Sequence, residues 1–378
     1  MTGIALLGST GSIGRQTLEV VAALGDPFVI RGLAAGHLGT AFEEQLAAWP
    51  EARAWAPGGT PGSVASGRWA DGGLEELAVA DDVDLVVVAT TGMAALPAVL
   101  AALTAGRRVA LANKETLITG GHLVTAVLDA LGGDPLDRLR PIDSEHSAIW
   151  QCLVGERLEE VERLVLTASG GPFRGRDPES LASVTPGEAL AHPTWQMGPK
   201  ITIDSATLVN KAFEVIEAQW LYRLPYSKIE AVIHPQSVVH SLVEFTDGSH
   251  KAQLGLPDMR LPIQYALTHP RRLPSPARRS SPADWGSLEF LPLPDADYPA
   301  YRAVRDAAAR GGNRGAILNA ADEVAVAAFL AERIPFPAIG QTISAAVERW
   351  GTDREPSIGE IGVLDAEVRE ALSVELPV

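Results

Sequence analysis

Two carboxylate side chains, Asp143 and Glu145, stand one residue apart between two short apolar runs. If the backbone is extended there, residues i and i+2 point to the same side. Hard divalent cations such as Mg²⁺ and Mn²⁺ bind oxygen ligands of this kind, and His146 is placed to add or orient another ligand. The same Asp-Ser-Glu sequence is also a good helix start, with an N-cap and first-turn acids. Both interpretations stand on these residues alone.

A third acidic residue, Glu214, lies in a segment whose apolar residues are spaced as in a helix. We expect this helix to be capped near Asp204 or Ser205. Asn210 and Glu214 are four residues apart, with Lys211 adjacent, so that they share one polar face. A surface salt pair is the usual meaning of such a pattern, but this helix is apolar on both flanks. Glu214 is therefore the candidate for a third metal-binding carboxylate.

Two of the lysines stand out because lysine is rare in this chain. Only five of the 31 basic residues are lysine, and Lys114 and Lys211 both lie inside polar motifs. Asn113-Lys114-Glu115 follows a predicted strand, at the edge where parallel sheets bind ligands. For Lys114 a solvated loop position remains the alternative.

The first third of the chain predicts a nucleotide-binding fold. The apolar run Ile4–Leu7 is followed by Gly8-Ser-Thr-Gly-Ser-Ile-Gly14 and then by a helix from Arg15 to about Leu24. Glycines in a strand-to-helix turn let the backbone approach a pyrophosphate, which the helix N-terminus attracts. Further strands at 28–34, 85–89 and 109–112 alternate with alanine-rich helices, which predicts a doubly wound parallel sheet.

The second predicted strand carries no acidic residue that would hold a ribose 2′-hydroxyl. It ends in Leu33-Ala34-Ala35-Gly36-His37. An NAD site usually has an Asp or Glu at this place, so its absence favours a 2′-phosphate and hence NADP. His37 and Arg31 are the candidate partners of that phosphate.

Two loops of the middle segment have the composition of a binding site. Ser169-Gly170-Gly171 follows a predicted strand and offers backbone N–H groups and a hydroxyl to a phosphate, although a plain turn before Pro172 has the same sequence. Residues 191–200 combine His, Trp, two Pro and Gly without helical or strand periodicity. We expect a lid there, with Trp195 and Met197 closing over an apolar surface.

Composition excludes several classes of protein. A net charge of −16 argues against nucleic acid or an anionic membrane as the main partner. Cys152 is the one cysteine, so no disulfide framework is possible within the chain, and we expect a cytoplasmic protein. The uncharged stretch Leu85–Gly106 is long enough to imitate a membrane span, but its composition favours a buried strand followed by a helix.

We expect an α/β chain in four parts. A Rossmann-like, doubly wound domain (1–143) precedes a central α/β catalytic and dimerisation domain with an open sheet (144–269). A proline- and arginine-rich linker (270–296) leads to a small C-terminal helical bundle (297–378), with helices at 301–309, 316–332 and 337–349 and a short final one. An exposed sheet edge in the central domain is suited to a homodimer.

Six motifs in chain order carry a resemblance to a known family. They are Gly8-Ser-Thr-Gly-Ser-Ile-Gly14, Ala112-Asn-Lys-Glu115, Asp143-Ser-Glu-His146, Ser169-Gly-Gly-Pro-Phe173, His192-Pro-x-Trp-x-Met-Gly198 and Asn210-Lys-x-x-Glu214. Together they resemble the 1-deoxy-D-xylulose 5-phosphate reductoisomerases, the second enzymes of the non-mevalonate isoprenoid route. His234-Pro-Gln-Ser-Val-Val-His240 and Leu318-Asn-Ala-Ala-Asp-Glu-Val324 extend the similarity over nearly the whole chain.

The resemblance implies a role for each matching residue. One Mg²⁺, Mn²⁺ or Co²⁺ would be held by Asp143, Glu145 and Glu214. The substrate's hydroxyl and carbonyl oxygens would meet Ser144 and Lys114, in addition to Glu145 and Glu214. The substrate phosphate would be bound by Ser169, Ser205, Asn210 and Lys211, with His192 close by. The catalytic set would be Lys114, Asp143, Glu145, His192 and Glu214. NADPH would contact Thr10, Gly11, Ser12, Ile13, Gly36, His37, Asn113, Glu115 and Gly198.

The family often has a basic-polar pair after the position of Gly36, whereas this chain has His37-Leu38.

The implied reaction is a metal-assisted rearrangement of a sugar phosphate followed by reduction with NADPH, giving 2-C-methyl-D-erythritol 4-phosphate. Two other functions remain open on the sequence. One is a metal-independent NADP dehydrogenase of a phosphorylated or acidic aldehyde, and the other is a non-enzymatic NADPH sensor.

Overall fold

The computed structural model describes residues 1–59, 67–195 and 197–376. The chain divides into two compact units, each built from separate segments. The first unit comprises Met1–Thr116, Leu123–Trp150 and Asp258–Arg279. The second unit comprises Leu117–His122, Gln151–Pro257 and Ser280–Val378. The four-part division expected from the sequence stays a prediction.

The strands and helices are numbered in chain order. The strands are β1 (Thr2–Leu7), β2 (Phe28–Ala34), β3 (Arg53–Trp55), β4 (Leu85–Val88), β5 (Arg108–Leu111), β6 (Leu139–Pro141), β7 (Val161–Ala168), β8 (Ile229–Ile233), β9 (Val239–Phe245), β10 (His250–Leu254) and β11 (Leu291–Pro292). The helices are α1 (Ser12–Leu24), α2 (Thr40–Ala48), α3 (Gly73–Val79), α4 (Leu96–Thr104), α5 (Lys114–Leu131), α6 (Pro135–Arg138), α7 (Ser144–Leu153), α8 (Pro186–Ala189), α9 (Pro199–Thr207), α10 (Val209–Tyr222), α11 (Arg260–Thr268), α12 (Pro299–Ala309), α13 (Arg314–Leu330), α14 (Ala338–Trp350) and α15 (Ile358–Glu375).

The first unit is built on a six-stranded parallel sheet with the order β3-β2-β1-β4-β5-β6. Strand β4 is buried along its whole length, as is expected when helices cover both faces of a parallel sheet. The strand order reverses next to β1, so that the carboxyl ends of β1 and β4 flank the crevice where such folds bind dinucleotides. The predicted doubly wound fold is confirmed.

Helix α11 completes the core of this unit, although it follows in the chain more than a hundred residues after β6. Ile263 and Ala266 are fully buried in the same hydrophobic cluster as Ile4 and Val20. Arg260 at the start of α11 lies 3.7 Å from Glu19 of α1. Neither this helix nor the sheet that it covers was predicted from the sequence.

The second unit contains a mixed five-stranded sheet with the order β10-β9-β7-β8-β11. Strand β7 pairs parallel with β8 and antiparallel with β9. Helix α10 packs against β8 and α12, and α13 packs against α9, α14 and α15. The open sheet and the C-terminal bundle are therefore confirmed, and the bundle packs on the helices that carry the polar residues of the central segment.

Two helix predictions in the second unit are wrong. Asp204 and Ser205 do not cap the helix of Glu214 but lie inside the preceding helix α9. Helix α9 ends at Thr207, and Leu208, whose φ of 59° is left-handed, separates it from α10, which begins at Val209. The Thr207 hydroxyl accepts a hydrogen bond from the backbone N–H of Val209 at 3.3 Å and so satisfies one of the free N–H groups at the start of α10. The final helix, predicted to be short, has 18 residues.

The uncharged stretch that resembles a membrane span consists of the buried strand β4 and the helix α4 with Pro97 in its first turn. The strand-plus-helix interpretation is confirmed. None of the helices in the described part of the chain combines the length and the apolar character needed to cross a bilayer.

Candidate active site

The turn between β1 and α1 has the shape of a dinucleotide-binding turn. Gly8 has a φ of 92°, and a Cβ there would lie 2.4 Å from the carbonyl oxygen of Ala89. A Cβ on Gly14 would lie 2.2 Å from the carbonyl oxygen of Gly8. These two glycines therefore let the turn, the strand and the helix pack closely. Gly11 and Ser12, at the helix start, are exposed and leave room for a ligand at the N-terminus of α1.

Substitution by alanine should affect stability differently at Gly11 and at Gly14, the last two glycines of this turn. Gly14→Ala pushes a methyl group into backbone oxygen atoms, whereas the nearest atom to a Cβ on Gly11 is 3.5 Å away, an ordinary contact. We expect Gly14→Ala to lower the free energy of unfolding by about 1 to 3 kcal/mol and Gly11→Ala to change it much less. Urea denaturation of the two variants measures this. Equal losses would contradict the packing role of Gly14.

The other cofactor candidates of the first unit lie at neighbouring strand ends. Gly36 and His37 follow β2 and are exposed. Asn113 caps α5, where its Oδ1 accepts a hydrogen bond from the N–H of Thr116 at 2.9 Å. The Nδ2 of Asn113 donates to the carbonyl oxygen of Gly92 at 2.9 Å and to Oε2 of Glu115 at 2.8 Å. Asn113 thus joins the ends of β4 and β5, a structural role that the sequence did not reveal.

Asp143 and Glu145, the two carboxylates one residue apart, lie at the start of α7. Asp143 and Ser144 are nearly buried, and the Asp143 carboxylate forms an ion pair with the ammonium of Lys114. His146 Nδ1 lies 3.6 Å from the same carboxylate. The Ser144 hydroxyl donates a hydrogen bond to Oε2 of Glu145 at 2.6 Å. The metal and capping interpretations are compatible, because the helix begins at Ser144 while the Asp143 carboxylate beside it still binds a positive charge, the Lys114 ammonium.

The second unit contains a similar arrangement on α10. Glu214 is 2% exposed and forms an ion pair with Lys211, which is 3% exposed. Asn210 donates from Nδ2 to Oε1 of Glu214 at 2.5 Å. The predicted polar face of α10 is confirmed, and the buried carboxylate is balanced by a buried ammonium. In both units a positive charge already occupies the place next to a buried carboxylate.

The hydrogen bonds of His192 fix its tautomer. Nδ1 accepts from the N–H groups of Thr194 at 3.1 Å and Trp195 at 2.9 Å, so it carries no proton. Nε2 then carries the proton and donates to the Ser169 hydroxyl at 3.1 Å. That hydroxyl oxygen also accepts from the N–H of Gly171 at 3.2 Å. Since both lone pairs of the Ser169 oxygen are used, its own hydrogen is left to donate to an anion.

Ser205 is brought close to this group by the glycines after β7. Gly171 has a φ of 68°, and a Cβ there would lie 2.7 Å from the carbonyl oxygen of Ser205. The Ser169 loop and helix α9 therefore approach each other at a distance that only glycine permits. Two of the predicted phosphate-binding residues, Ser169 and Ser205, are brought together in this way, and His192 is hydrogen-bonded to Ser169.

The predicted lid segment leads directly into α9. Trp195 is partly exposed, and its ring centroid lies 6.4 Å from that of His240. Met197 is partly exposed, and Gly198 is the N-cap residue of α9. The segment predicted as a loop at 191–200 is thus two residues too long, because Pro199 and Lys200 are helical. Proline after glycine is a favoured helix start, so the signal was present.

His192 should make folding stability depend on pH. Burial lowers its pKa below the ordinary value of 6.5, so the folded state favours the neutral ring. The stabilisation is complete above pH 6.5 and declines as the pH falls from there toward the lower pKa of the folded state. We expect the melting temperature of the wild-type chain to fall more between pH 7.5 and 5.5 than that of His192→Asn, which keeps an acceptor but does not titrate. Parallel melting curves would contradict this.

Lys200, which was not among the residues predicted from the sequence, is partly exposed and contacts two buried carboxylates. Its ammonium lies 2.7 Å from Asp204 and 2.5 Å from Asp322. The rarity of lysine, which drew attention to Lys114 and Lys211, was the available signal for Lys200 as well.

Comparison with known proteins covers almost the entire chain. Three family models match: 1-deoxy-D-xylulose 5-phosphate reductoisomerase at residues 4–56 and 62–121, its C-terminal domain at 139–222, and a further DXP reductoisomerase C-terminal domain at 254–371. A 1-deoxy-D-xylulose 5-phosphate reductoisomerase of Geobacillus kaustophilus is 48% identical over 383 residues, which is 98% of each chain. One of Pelotomaculum thermopropionicum is 48% identical over 96% of this chain and 95% of its own length.

Solved structures give the same result. A DOX-P reductoisomerase in complex with NADPH, fosmidomycin and magnesium superimposes with a TM-score of 0.91 at 34% identity, over 100% of this chain and 98% of the other. The Zymomonas mobilis reductoisomerase in complex with NADPH superimposes with a TM-score of 0.85 at 34% identity, over 99% of both chains. This chain therefore belongs to the 1-deoxy-D-xylulose 5-phosphate reductoisomerase family.

Proposed function

We propose that this chain converts 1-deoxy-D-xylulose 5-phosphate into 2-C-methyl-D-erythritol 4-phosphate, using NADPH and one divalent cation. Its full-length similarity to reductoisomerases supports the reaction. The observation that carries the proposal is the pairing of a buried carboxylate with a lysine ammonium in both units, at Asp143 with Lys114 and at Glu214 with Lys211. Burying charged acids and bases lowers the free energy of unfolding through desolvation, so such groups are often found where a protein needs them for function.

Asp143, Glu145 and Glu214 would hold the cation. Carboxylate oxygens suit Mg²⁺ and Mn²⁺, and the lysine ammonium beside Asp143 and beside Glu214 indicates that each position favours positive charge. When bound, the cation stabilises negative charge that develops on the sugar oxygens during rearrangement. Lys114 and Ser144 would then orient the hydroxyl and carbonyl oxygens of the sugar.

NADPH would bind at the β1–α1 turn through Thr10, Gly11, Ser12 and Ile13. The exposed N-terminus of α1 and the close packing allowed by Gly14 fit a pyrophosphate. The further contacts proposed for NADPH are Gly36, His37, Asn113, Glu115 and Gly198. Among them, His37 is exposed beside β2 and suits the 2′-phosphate.

The substrate phosphate would bind to Ser169, Ser205, Asn210 and Lys211. The tautomer of His192 leaves the Ser169 hydroxyl as a donor, which is what a phosphate oxygen needs. Binding the phosphate away from the reacting carbons would orient the substrate. Trp195 and Met197 would close over it and exclude water.

The deciding assay is NADPH oxidation with 1-deoxy-D-xylulose 5-phosphate, with Mn²⁺ and with a chelator. We expect turnover that needs both the sugar phosphate and the cation and that the chelator abolishes. Activity that survives the chelator would favour the metal-independent dehydrogenase instead. Cofactor binding without any turnover would favour the sensor.

A homodimer in the cytoplasm is part of the same proposal. Strand β10 is a largely exposed edge of the second sheet, which suits pairing with a second copy. Cys152 is a free thiol buried in the fold, and burial raises its pKa to about 11, so that it stays protonated at neutral pH. A free, unreactive thiol fits a reducing compartment. Analytical ultracentrifugation of the wild-type chain measures the oligomeric state.

A further inference from the structure

Two buried carboxylates and a lysine that is 31% exposed form a charge cluster beside the phosphate-binding residues, and this cluster has no part in the function proposed above. Its members are Lys200, Asp204 and Asp322. The Lys200 ammonium lies 2.7 Å from Oδ2 of Asp204 and 2.5 Å from Oδ2 of Asp322. The side chains of Asp204 and Asp322 are 3% and 0% exposed. Acidic residues this deeply buried need a specific partner, so the cluster has a structural or functional cause.

The cluster has one acid more than it has bases. Burial raises the pKa of Asp322, and the Lys200 ammonium opposes that rise. The Lys200 ammonium contacts one oxygen of each carboxylate, so it is the group that links Asp322 to Asp204. A neutral amide of the same shape at position 322 keeps an oxygen that can accept from Lys200. A leucine there cannot.

The cluster ties together three helices of the second unit. Lys200 and Asp204 are on α9, and Asp322 is on α13. The Lys200 ammonium also lies 5.2 Å from the ring centroid of Phe213 on α10. Helix α9 has only nine residues, which is too few to be stable without tertiary contacts. Its position therefore depends on contacts such as these.

Helix α9 carries Ser205, directly after Asp204. The backbone carbonyl group of Ser205 also lies close to the Ser169 loop, because a Cβ on Gly171 would lie 2.7 Å from that carbonyl oxygen. A displacement of α9 would thus move Ser205 and disturb the packing of the Ser169 loop. Misplacing binding groups by about 1 Å is enough to cost on the order of a hundredfold in rate.

We propose that Asp322 is a positioning residue for the substrate phosphate: through Lys200 it holds α9 where Ser205 meets that phosphate. Asp322 itself does not touch the substrate. The inference rests on the proposed function, in which Ser205 is a phosphate ligand. It adds a residue on the C-terminal bundle to the determinants of substrate binding.

Three variants at neighbouring positions test this. Asp322→Leu removes the contact with the Lys200 ammonium, and Asp322→Asn keeps an oxygen that can accept from it. Glu323→Gln is the matched control, since Glu323 is the next residue on α13 and pairs at 2.8 Å with Arg369 rather than with α9. For each variant kcat, the KM for 1-deoxy-D-xylulose 5-phosphate, the KM for NADPH and the melting temperature are measured.

We expect Asp322→Leu to raise the KM for the sugar phosphate by about tenfold to about a hundredfold while the KM for NADPH stays unchanged. Asp322→Asn and Glu323→Gln should behave like the wild type. A lower melting temperature with an unchanged KM in Asp322→Leu would overturn the proposal, since the role would then be structural only. An equal rise of KM in Glu323→Gln would also overturn it, because any disturbance of α13 would then suffice.

A double-mutant cycle with Ser205→Ala tests the route of the effect. If Asp322 acts through Ser205, adding Asp322→Leu to Ser205→Ala should raise the KM far less than it does in the wild type. Fully additive effects would contradict that route. Should Asp322→Leu fail to fold, Lys200→Met breaks the same link from the side of α9 and takes its place in the cycle.

Inorganic phosphate separates this inference from the proposed reaction. Absence of wild-type turnover would contradict the reaction, whereas calorimetric titration with phosphate needs no turnover. Weaker phosphate binding in Asp322→Leu than in Glu323→Gln would support the positioning role even then. Equal phosphate affinities in these two variants would overturn it.

Discussion

Glu214→Gln should lower kcat by about a hundredfold to a thousandfold while NADPH binding stays as in the wild type. The substitution removes one of the three proposed ligand charges but keeps the shape of the side chain and an acceptor for Asn210. Asp143→Asn should lower kcat in the same way. It should leave NADPH binding unchanged, since Asp143 lies in the unit that holds the glycine turn but is not part of that turn. Steady-state turnover in Mn²⁺ and fluorescence titration with NADPH measure the two effects.

Glu230→Gln is the control for these variants. Glu230 lies on β8, is about half exposed, and pairs with Arg163 on the surface of the sheet. A surface pair of this kind contributes little to stability, so the variant should keep full activity. Full activity of Glu214→Gln in the presence of a chelator would show that the three-carboxylate site is wrong.

Lys211→Met should lower the free energy of unfolding and, at the same time, increase the stabilisation that a divalent cation provides. It leaves the Glu214 carboxylate buried without the ammonium that now balances it. Breaking a buried pair from one side costs about 3 to 5 kcal/mol of the free energy of unfolding. A divalent cation can replace the lost positive charge, so Mn²⁺ should raise the melting temperature of Lys211→Met more than that of the wild type.

The matched control for this variant is Lys228→Met. Lys228 is in the same unit, but it is partly exposed and donates to the carbonyl oxygen of Val161 at 2.9 Å. Its removal should cost less than about 1 kcal/mol and should not change the response to Mn²⁺. If Mn²⁺ stabilises Lys211→Met and the wild type equally, Glu214 is not a cation ligand.

The sequence predicted the elements of the first unit well because the physical signals there are local. Strand β2 begins at Phe28 and ends at Ala34 as predicted, because its apolar residues, interrupted only by Arg31 and Gly32, lie between Pro27 and Gly36. The polar face of α10 was also predictable, because residues four apart must lie on one side of a helix. Both patterns can be recognised within ten residues.

The features that the sequence did not predict depend on contacts between distant segments. The break at Leu208 requires a left-handed residue that no local pattern demands, and the neighbouring Asp204 and Ser205 have side chains better suited to an N-cap than that of Leu208. Asp204 instead pairs with Lys200, which also pairs with Asp322 more than a hundred residues further along the chain. Periodicity predicts that a face is buried but not which partner buries it.

The position of α11 has a consequence for biosynthesis. The hydrophobic cluster of the first unit contains Ile263, Ala266 and Leu267, so it stays incomplete until they have left the ribosome. More than a hundred residues are translated between the end of α7 and this helix, which takes on the order of ten seconds at about 5 to 20 residues per second. During that interval the nascent chain exposes the apolar surface that α11 will cover. Ribosome-bound chains arrested before residue 258 should therefore recruit chaperones more strongly than chains arrested well after residue 279.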